Sequence, residues 1–443
     1  MPPFGCLRYT KWLNLLDMLS ESFARVLSAV SLSIMVTFLT EPHTIPAVLT
    51  LLALGLLVYA YAGYPVLLWC VARLRNPLKT VSGLPDHWPT VTVVISACNE
   101  ERVIVRRIQN LLAQDYPKDR VQVLIGSDGS TDRTNEIVKR YRFAGVQLTA
   151  FSDRRGKASV LNDLVMRATG EYLVFTDAAT VFYPDSIKEL MTGFYRYPTA
   201  GVIGGELELR SPETSANLDG LYWRCEMFLK MSESKIGGGL GASGAIYALR
   251  RKDYRLLPPR TMADDLLEPM LVRLHTKRDV VLHKAARAWQ FTPQHMTDEF
   301  HRRIRTGGGI THVLTEAWRL LLPEWGTVAF AFWSHKVLRL CGPWILLTAM
   351  VGTVLMLNHW MYRVLFLIQV IGYGLGLSSR RLRVIPVVGK AASAARYFLV
   401  LNLALGIGTL KYILGLASPT WSRTTREPQE VPEWKPQDVA QNR

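Results

Sequence analysis

Carboxylates placed where an apolar run stops are the first residues in this chain able to do chemistry. In YLVFTDAATVFYPD, Tyr172 to Asp185, an apolar strand reads straight into Asp177, so rigid scaffolding aims that charge outward. GSDGSTD, Gly126 to Asp132, repeats the arrangement, with Asp128 after one strand and before a helix. That is the carboxyl edge, where open α/β sheets take their ligands. Gly129 lets the backbone turn, and Asp132 is able to hold the loop or cap the helix; taken alone, an ordinary capped Asp-Gly turn explains the stretch. SACNEE, Ser96 to Glu101, also follows a strand directly, and DRRGKASVLND sets Arg154, Arg155 and Lys157 around Gly156. MADDLLEP brings two adjacent acids, Asp264 and Asp265, to the head of a helix-like segment. Neighbouring carboxylates there either face the positive end of the helix dipole or supply a general base beside an orienting acid. FHRRIRT contributes Arg302, Arg303 and Arg305, and guanidinium groups pair with phosphate oxygens better than ammonium does. Arg303 reads as a leaflet-facing charge.

The elements that must position these side chains follow from spacing. TVTVVISA and VQVLIGS are short β-branched runs, and ERVIVRRIQNLLAQD between them has helical periodicity. STDRTNEIVKRYRF reads as a second helix, with Ser130 or Thr131 as its cap. This alternation predicts an α/β domain over residues 89–310 with a doubly wound, mostly parallel sheet. GGLGASG contains Gly239-x-Gly241-x-x-Gly244, with Asp264 and Asp265 further on, a pattern like the dinucleotide fingerprint. The context is reversed: WRCEMFLKMSESK before it looks helical and AIYALR after it looks like a strand, so nicotinamide binding is set aside.

Composition describes the surroundings. Of 443 residues, 49% are hydrophobic, which is high for one soluble domain and low for a chain embedded throughout. The net charge is +16, and the basic runs RLRNPLK, RRIR and SSRRLR abut apolar segments, which points to an anionic leaflet and not to nucleic acid. Five cysteines (Cys6, Cys70, Cys98, Cys225 and Cys341) show neither metal-ligand spacing nor a paired framework, as expected of a reducing compartment. Ile45 to Ala72 carries no charge and exceeds the roughly 20 residues needed to cross a bilayer, so 45–72 is predicted to be a transmembrane helix. Arg73, Arg75 and Lys79 follow at once, which puts the next domain on the cytoplasmic side. Residues 1–44 are expected to be interfacial or to hold a short first helix at Val26 to Leu39. FAFWSHKVLRL, within 327–340, mixes aromatics with His335, Lys336 and Arg339 and reads as an in-plane amphipathic helix. Residues 340–416 hold about three further spans (Leu340 to Leu357, Met361 to Leu377, Tyr397 to Leu416), and 419–443 form a polar tail. The expectation is a multi-pass protein of the plasma or inner membrane.

Together these motifs resemble the membrane-bound family 2 glycosyltransferases, of the kind related to cellulose and hyaluronan synthases, over roughly Tyr61 to Arg426. The order matches: the Asn-Glu loop, SDGSTD, GKASVLN, the strand-end Asp, GASGAIYALRR, ADD for the family's Thr-Glu-Asp, and Arg302-x-x-Arg305-Thr306 for its Gln-x-x-Arg-Trp. The resemblance implies a GT-A-type fold with flanking transmembrane helices. It also implies inverting transfer from a nucleotide sugar, a UDP-sugar above all, to a lipid or glycan acceptor at the bilayer, in the making of cell-envelope polysaccharide. Residue by residue, it implies that Asn99, Glu100 and Asp128 frame the base and ribose and that Lys157 lies near the diphosphate. Arg302 and Arg305 would hold the leaving diphosphate, Asp177 would ligate Mg²⁺ or Mn²⁺, and Asp265 would be the base, with Asp264 beside it. Three departures stand out: Ser96 replaces a proline, Ala179 removes a second acid, and Thr306 removes a tryptophan associated with the acceptor terminus in processive synthases. One carboxylate suffices for Mg²⁺ when diphosphate oxygens and water complete the octahedron. Without the ring at Thr306, and with Gly307 to Gly309 expected to leave the loop floppy, short products are expected. Two competing readings remain. One is a processive polysaccharide synthase in which Trp289 or Trp318 replaces the lost ring. The other is a nucleotide-binding membrane regulator without transfer, which would need neither the acid pair nor the arginines.

Overall fold

A computed structural model describes residues 44–74, 78–210, 218–291, 296–382 and 385–418. The N-terminal segment up to residue 43 and the polar tail from 419 lie outside the described residues, including the short helix expected at Val26 to Leu39. Among the described residues, 44–57 and Ile345–Ile371 form one compact unit, and Val58–Trp344 with the residues from Gly372 onward form a second.

The second unit is organised by an eight-stranded sheet. Its first half alternates strand and helix: β1 (Val91–Ala97), α2 (Ile104–Leu112), β2 (Val121–Asp128), α3 (Thr134–Arg140), β3 (Val146–Phe151), α4 (Lys157–Val165) and β4 (Tyr172–Asp177). Here α1 is the long helix Thr44–Leu74. There follow β5 (Val181–Phe182), α5 (Ser186–Arg196), β6 (Ala200–Arg210), α6 (Leu218–Lys235), β7 (Tyr247–Arg250), α7 (Asp264–Thr276) and β8 (Asp279–Phe291). The strand order is β3-β2-β1-β4-β7-β6-β8-β5. β1, β2, β3 and β4 pair in parallel, as do β6 and β8, while β7 runs antiparallel to both β4 and β6. The expected doubly wound, mostly parallel sheet is present, with an antiparallel insertion at β7.

Strand alternation divides the core between the two faces. Val93 and Ile95 of β1 pack with Ile104 and Ile108 of α2 on one side. Val94 packs with Leu161 and Leu164 of α4 and Leu267 of α7 on the other. Both faces are covered, which is why β1 reads as a continuous apolar run instead of an alternating one. Gly126 of β2 permits the close packing of α4: a Cβ there would lie 2.3 Å from Val160 Cγ1. That approach fixes the start of α4, where Lys157 sits.

After the sheet come α8 (Met296–Glu316), α9 (Thr327–Leu340), α10 (Gly342–Leu355), α11 (Trp360–Leu377) and α12 (Pro386–Ile413). Among the described residues three helices are long and apolar enough to cross a membrane, namely α1, α11 and Val387–Ile413 of α12; α9 with α10 makes a fourth if the pair is one broken span. In the smaller unit, Gly352 of α10 leaves room for Thr50, and Gln369 of α11 donates to Thr353 Oγ1 at 3.1 Å.

Three sequence expectations are corrected. Helix α3 is not capped by Ser130 or Thr131. Asp132 Oδ1 accepts from the Thr134 N–H and hydroxyl at 2.9 and 2.5 Å, while Ser130 Oγ accepts from the Asn99 N–H. Gly307 to Gly309 are not a floppy loop; they lie inside α8 where it crosses α12. A Cβ at Gly307 would sit 2.6 Å from Leu405 O, and one at Gly408 would sit 2.0 Å from Ile304 O. The glycines let two helix backbones touch, as small residues do in membrane-helix interfaces. Arg303 does not face a leaflet: it is 8% exposed and donates to the Tyr397 hydroxyl of α12 at 3.1 Å.

Candidate active site

The loops after β1, β2 and β3 are tied to one another by backbone–side-chain bonds. Asn99 adopts φ +57°, a left-handed conformation that asparagine tolerates better than most residues. From there its Oδ1 accepts from the Thr131 N–H at 2.8 Å and its own N–H donates to Ser130 Oγ at 3.1 Å. The Glu100 N–H donates to Thr134 Oγ1 at 2.8 Å. Asn99 and Glu100 thereby stand on the cavity wall, while Asp128 does not. Asp128 is 4% exposed, and its two oxygens accept the N–H groups of Arg155 and Gly156 at 2.6 and 3.0 Å. In this conformation its carboxylate braces the loop that leads into Lys157.

Lys157 opens α4 and reaches two carboxylates at once. Its Nζ lies 3.0 Å from Asp177 Oδ1, at the end of β4, and 2.9 Å from Asp264 Oδ2, in the first turn of α7. Burial alone would lower the ammonium's pKa, but Asp177 and Asp264 raise it above the ordinary lysine value. Burial raises the Asp264 carboxyl above its usual range, against the pull of Lys157 and with the help of Asp265. Asp265 is oriented separately, its Oδ2 accepting the Gly244 N–H at 3.2 Å and its carbonyl accepting the Ala242 N–H at 3.0 Å. The GASG stretch, set aside as a dinucleotide loop, thus holds Asp265. Its context is as read: α6 precedes it and β7 follows.

Behind Asp177 lies a cation that the sequence did not single out. Arg107 of α2 is 1% exposed and donates to Thr176 Oγ1 and Asn110 Oδ1, both at 2.8 Å. Burial pulls its pKa down to about 9, opposed by Asp177. The only signal was position: Arg107 falls on the apolar face of a helix, beside Ile104, Ile108 and Leu111.

These groups share a cavity of about 1050 Å³, whose wall includes Lys157, Asp177, Asp264, Asp265, Arg302 and Arg305. Of the nine residues to which the resemblance gave a role, only Asp128 is missing from it. Thr306 also lines the cavity, its hydroxyl donating to Arg302 O at 2.9 Å, as does Ala179 in place of a second acid. Neither Trp289 nor Trp318 reaches the wall, but Trp223 of α6 does, fixed by donation from Nε1 to Leu207 O at 2.7 Å.

Among the described residues no cluster of three His, Cys, Asp or Glu side chains is placed to hold a metal ion. Asp177, with a third of its side chain exposed, presents a single carboxylate. Such a set fits a hard divalent cation only if phosphate and water oxygens supply most of its ligands. An incoming ion would also compete with Lys157 for Asp177.

Comparison with known proteins bears on the family and the fold. Residues 92–254 match the family described as Glycosyl transferase family 2. A poly-beta-1,6-N-acetyl-D-glucosamine synthase from Staphylococcus epidermidis is 23% identical over 253 residues, covering 55% of this chain and 60% of that one. The corresponding synthase of Staphylococcus aureus (strain COL) is 22% identical over 237 residues, covering 52% and 56%. The chain therefore matches somewhat over half the length of these curated relatives. In the solved structure of the mannosyltransferase PcManGT from Pyrobaculum calidifontis, in complex with GDP-Man and Mn2+, the likeness has a TM-score of 0.62 at 21% identity. It covers 83% of this chain and 99% of that one, and it establishes a common GT-A fold.

Proposed function

The chain carries a glycosyltransferase domain of family 2, and on that premise we propose that it transfers a sugar, with inversion, from a UDP-sugar to an acceptor at the membrane. The observation that carries this reading is the convergence of Lys157, Asp177, Asp265 and Arg305 on one cavity wall. In the proposed reaction the Asp265 carboxylate takes the proton of an acceptor hydroxyl. The acceptor oxygen bonds to the anomeric carbon as the bond from that carbon to the donor phosphate oxygen breaks. The electron pair leaves with the diphosphate, and attack from the opposite face inverts the centre. Lys157, Arg302 and Arg305 stabilise the charge that collects on the departing diphosphate. Asp177 would hold a Mg²⁺ or Mn²⁺ ion, which when bound would supply further neutralisation of that charge. Gly244 and Ala242 hold Asp265 in register, and Asn99 and Glu100 border the nucleotide.

The long apolar helices, and the close crossing of α8 with α12, support a multi-pass membrane protein that works on a lipid or glycan acceptor. A second reading, a processive synthase of an amino-sugar polymer, is favoured by the names of the curated relatives and by Trp223, an aromatic ring on the cavity wall. The decisive experiment is product analysis after incubating the purified protein in lipid with a panel of radiolabelled sugar nucleotides. Label transferred to a lipid or glycan product supports the proposal; a panel left intact, with nucleotide bound, overturns it in favour of a non-catalytic regulator.

A further inference from the structure

The interior of the sheet domain holds a positive charge with no acid bonded to it. Arg107 is 1% exposed, and its guanidinium donates only to the Thr176 hydroxyl and the Asn110 side-chain oxygen. Its central carbon stands 4.2 Å over the ring of Phe182, and Nε is buried without a partner. Among the described residues no carboxylate lies within ion-pair distance of it. A charge buried without a bonded counter-ion is among the costliest arrangements a core can hold.

The neighbours of Arg107 show what a simple brace needs here. Asn110 accepts from the Phe182 N–H and donates to the Phe182 carbonyl, both at 2.8 Å. Gln114, just past the end of α2, donates to Tyr183 O at 2.9 Å. Both side chains are buried and neutral. Two amides therefore already hold the segment after Asp177 against α2, and a further hydrogen-bonding position does not require a charge.

What Arg107 adds is a field directed at the donor end of the cavity. Thr176, its partner, immediately precedes Asp177 on β4. The same hydroxyl donates to Ala245 O at 2.7 Å, one residue from the Gly244 N–H that holds Asp265. Burial works against the charge of Arg107, Asp177 supports it, and Arg106 opposes it. The cavity wall includes Asp177 and Lys157 but not Arg107, so the guanidinium acts without touching a ligand. Water screens a charge in the interior far less than one on the surface, so its influence reaches the ligand.

We propose that Arg107 is a positioning residue for the donor: its fixed interior charge draws a nucleotide diphosphate toward the Asp177 end of the cavity and disfavours a divalent cation at Asp177 until the diphosphate is there. The inference rests on the transferase reading and adds to it an order of binding, nucleotide before metal. Ala179, standing where a second acid would help to hold the ion alone, works in the same direction.

The test measures binding, so it stands apart from transfer. Purified full-length protein in lipid nanodiscs is titrated calorimetrically with UDP in EDTA and, separately, with Mn²⁺ in the absence of nucleotide. Arg107→Gln keeps a neutral hydrogen-bonding side chain like those of Asn110 and Gln114, whereas Arg107→Lys keeps the charge. Lys157, Asp177, Asp264 and Asp265 are unchanged in every protein compared, so each difference belongs to Arg107. Arg107→Gln should bind UDP about tenfold more weakly and Mn²⁺ several-fold more tightly. Arg107→Lys should stay within about threefold of the unmodified protein for both ligands. Opposite shifts for an anion and a cation follow from a lost charge and not from a displaced loop. If Arg107→Gln binds both ligands as before, the charge is idle and the proposal fails. If it loses affinity for both together, or unfolds below the assay temperature, Arg107 is a brace and the proposal is overturned. The expected opposite shifts in a protein that consumes no sugar nucleotide would refute the transferase reading and leave the role of Arg107 standing.

Discussion

At the residue scale, the site is a set of carboxylates with different fixed partners. Asp264 is tied to Lys157, whereas the Asp265 carboxylate, the proposed base, accepts a backbone N–H from Gly244. Asp265→Asn keeps size and hydrogen bonding but removes basicity. Transfer should fall by about 100- to 10,000-fold while UDP affinity, measured calorimetrically, stays unchanged. Near-normal turnover in Asp265→Asn together with loss in Asp264→Asn would shift the base by one position. Asp177 supports a second expectation. With one carboxylate shared with Lys157, the protein should bind Mn²⁺ weakly alone and far more tightly with UDP present, because the diphosphate brings the missing oxygens. Equal Mn²⁺ affinity with and without UDP, read by titration calorimetry, would rule out the single-carboxylate account.

At the element scale, the crossing of α8 and α12 sets where Arg302, Arg305 and Thr306 stand. Backbone touches backbone at Gly307 and Gly408, so any side chain there has to push the helices apart. Gly408→Val should destabilise the protein by roughly 1–3 kcal/mol, the usual range for overpacking, and lower the thermal midpoint in detergent. Because Arg305 moves with α8, UDP affinity should fall in the same variant. Unchanged stability would mean that the helices are not in contact there. This arrangement also changes the argument about Thr306. Thr306 carries no ring, and it stands on a helix fixed by packing, not in a mobile loop.

At the scale of the whole molecule, the question is whether one enzyme molecule keeps its product. Thr306 offers the acceptor little area, which favours release after one or a few additions. With limiting enzyme and excess donor, product length should grow slowly and evenly across acceptors. Long polymer beside unreacted acceptor would instead support the synthase reading, with Trp223 as the retaining ring. In that case Trp223→Ala should shorten the products while leaving UDP affinity unchanged, and gel or mass analysis of chain length would show it.

Local chemistry made much of this legible from the sequence. The alternation of β-branched and helical runs determines the sheet, because strand and helix periodicity are properties of short segments. Asp177, Asp264 and Asp265 were readable because a carboxylate at the end of an apolar strand, or a pair heading a helix, is a local pattern. The tertiary structure decided which long-range partners each group has. Lys157 meets Asp264 across more than a hundred residues, and Asp128 turns to the Arg155–Gly156 backbone. Arg107 is buried behind Asp177, and His335, in a segment read only as an amphipathic helix, faces two glutamates of α6. Charges on a helix look alike in sequence whether they meet water or a buried counter-ion. Only the packing of another element against that face distinguishes the two.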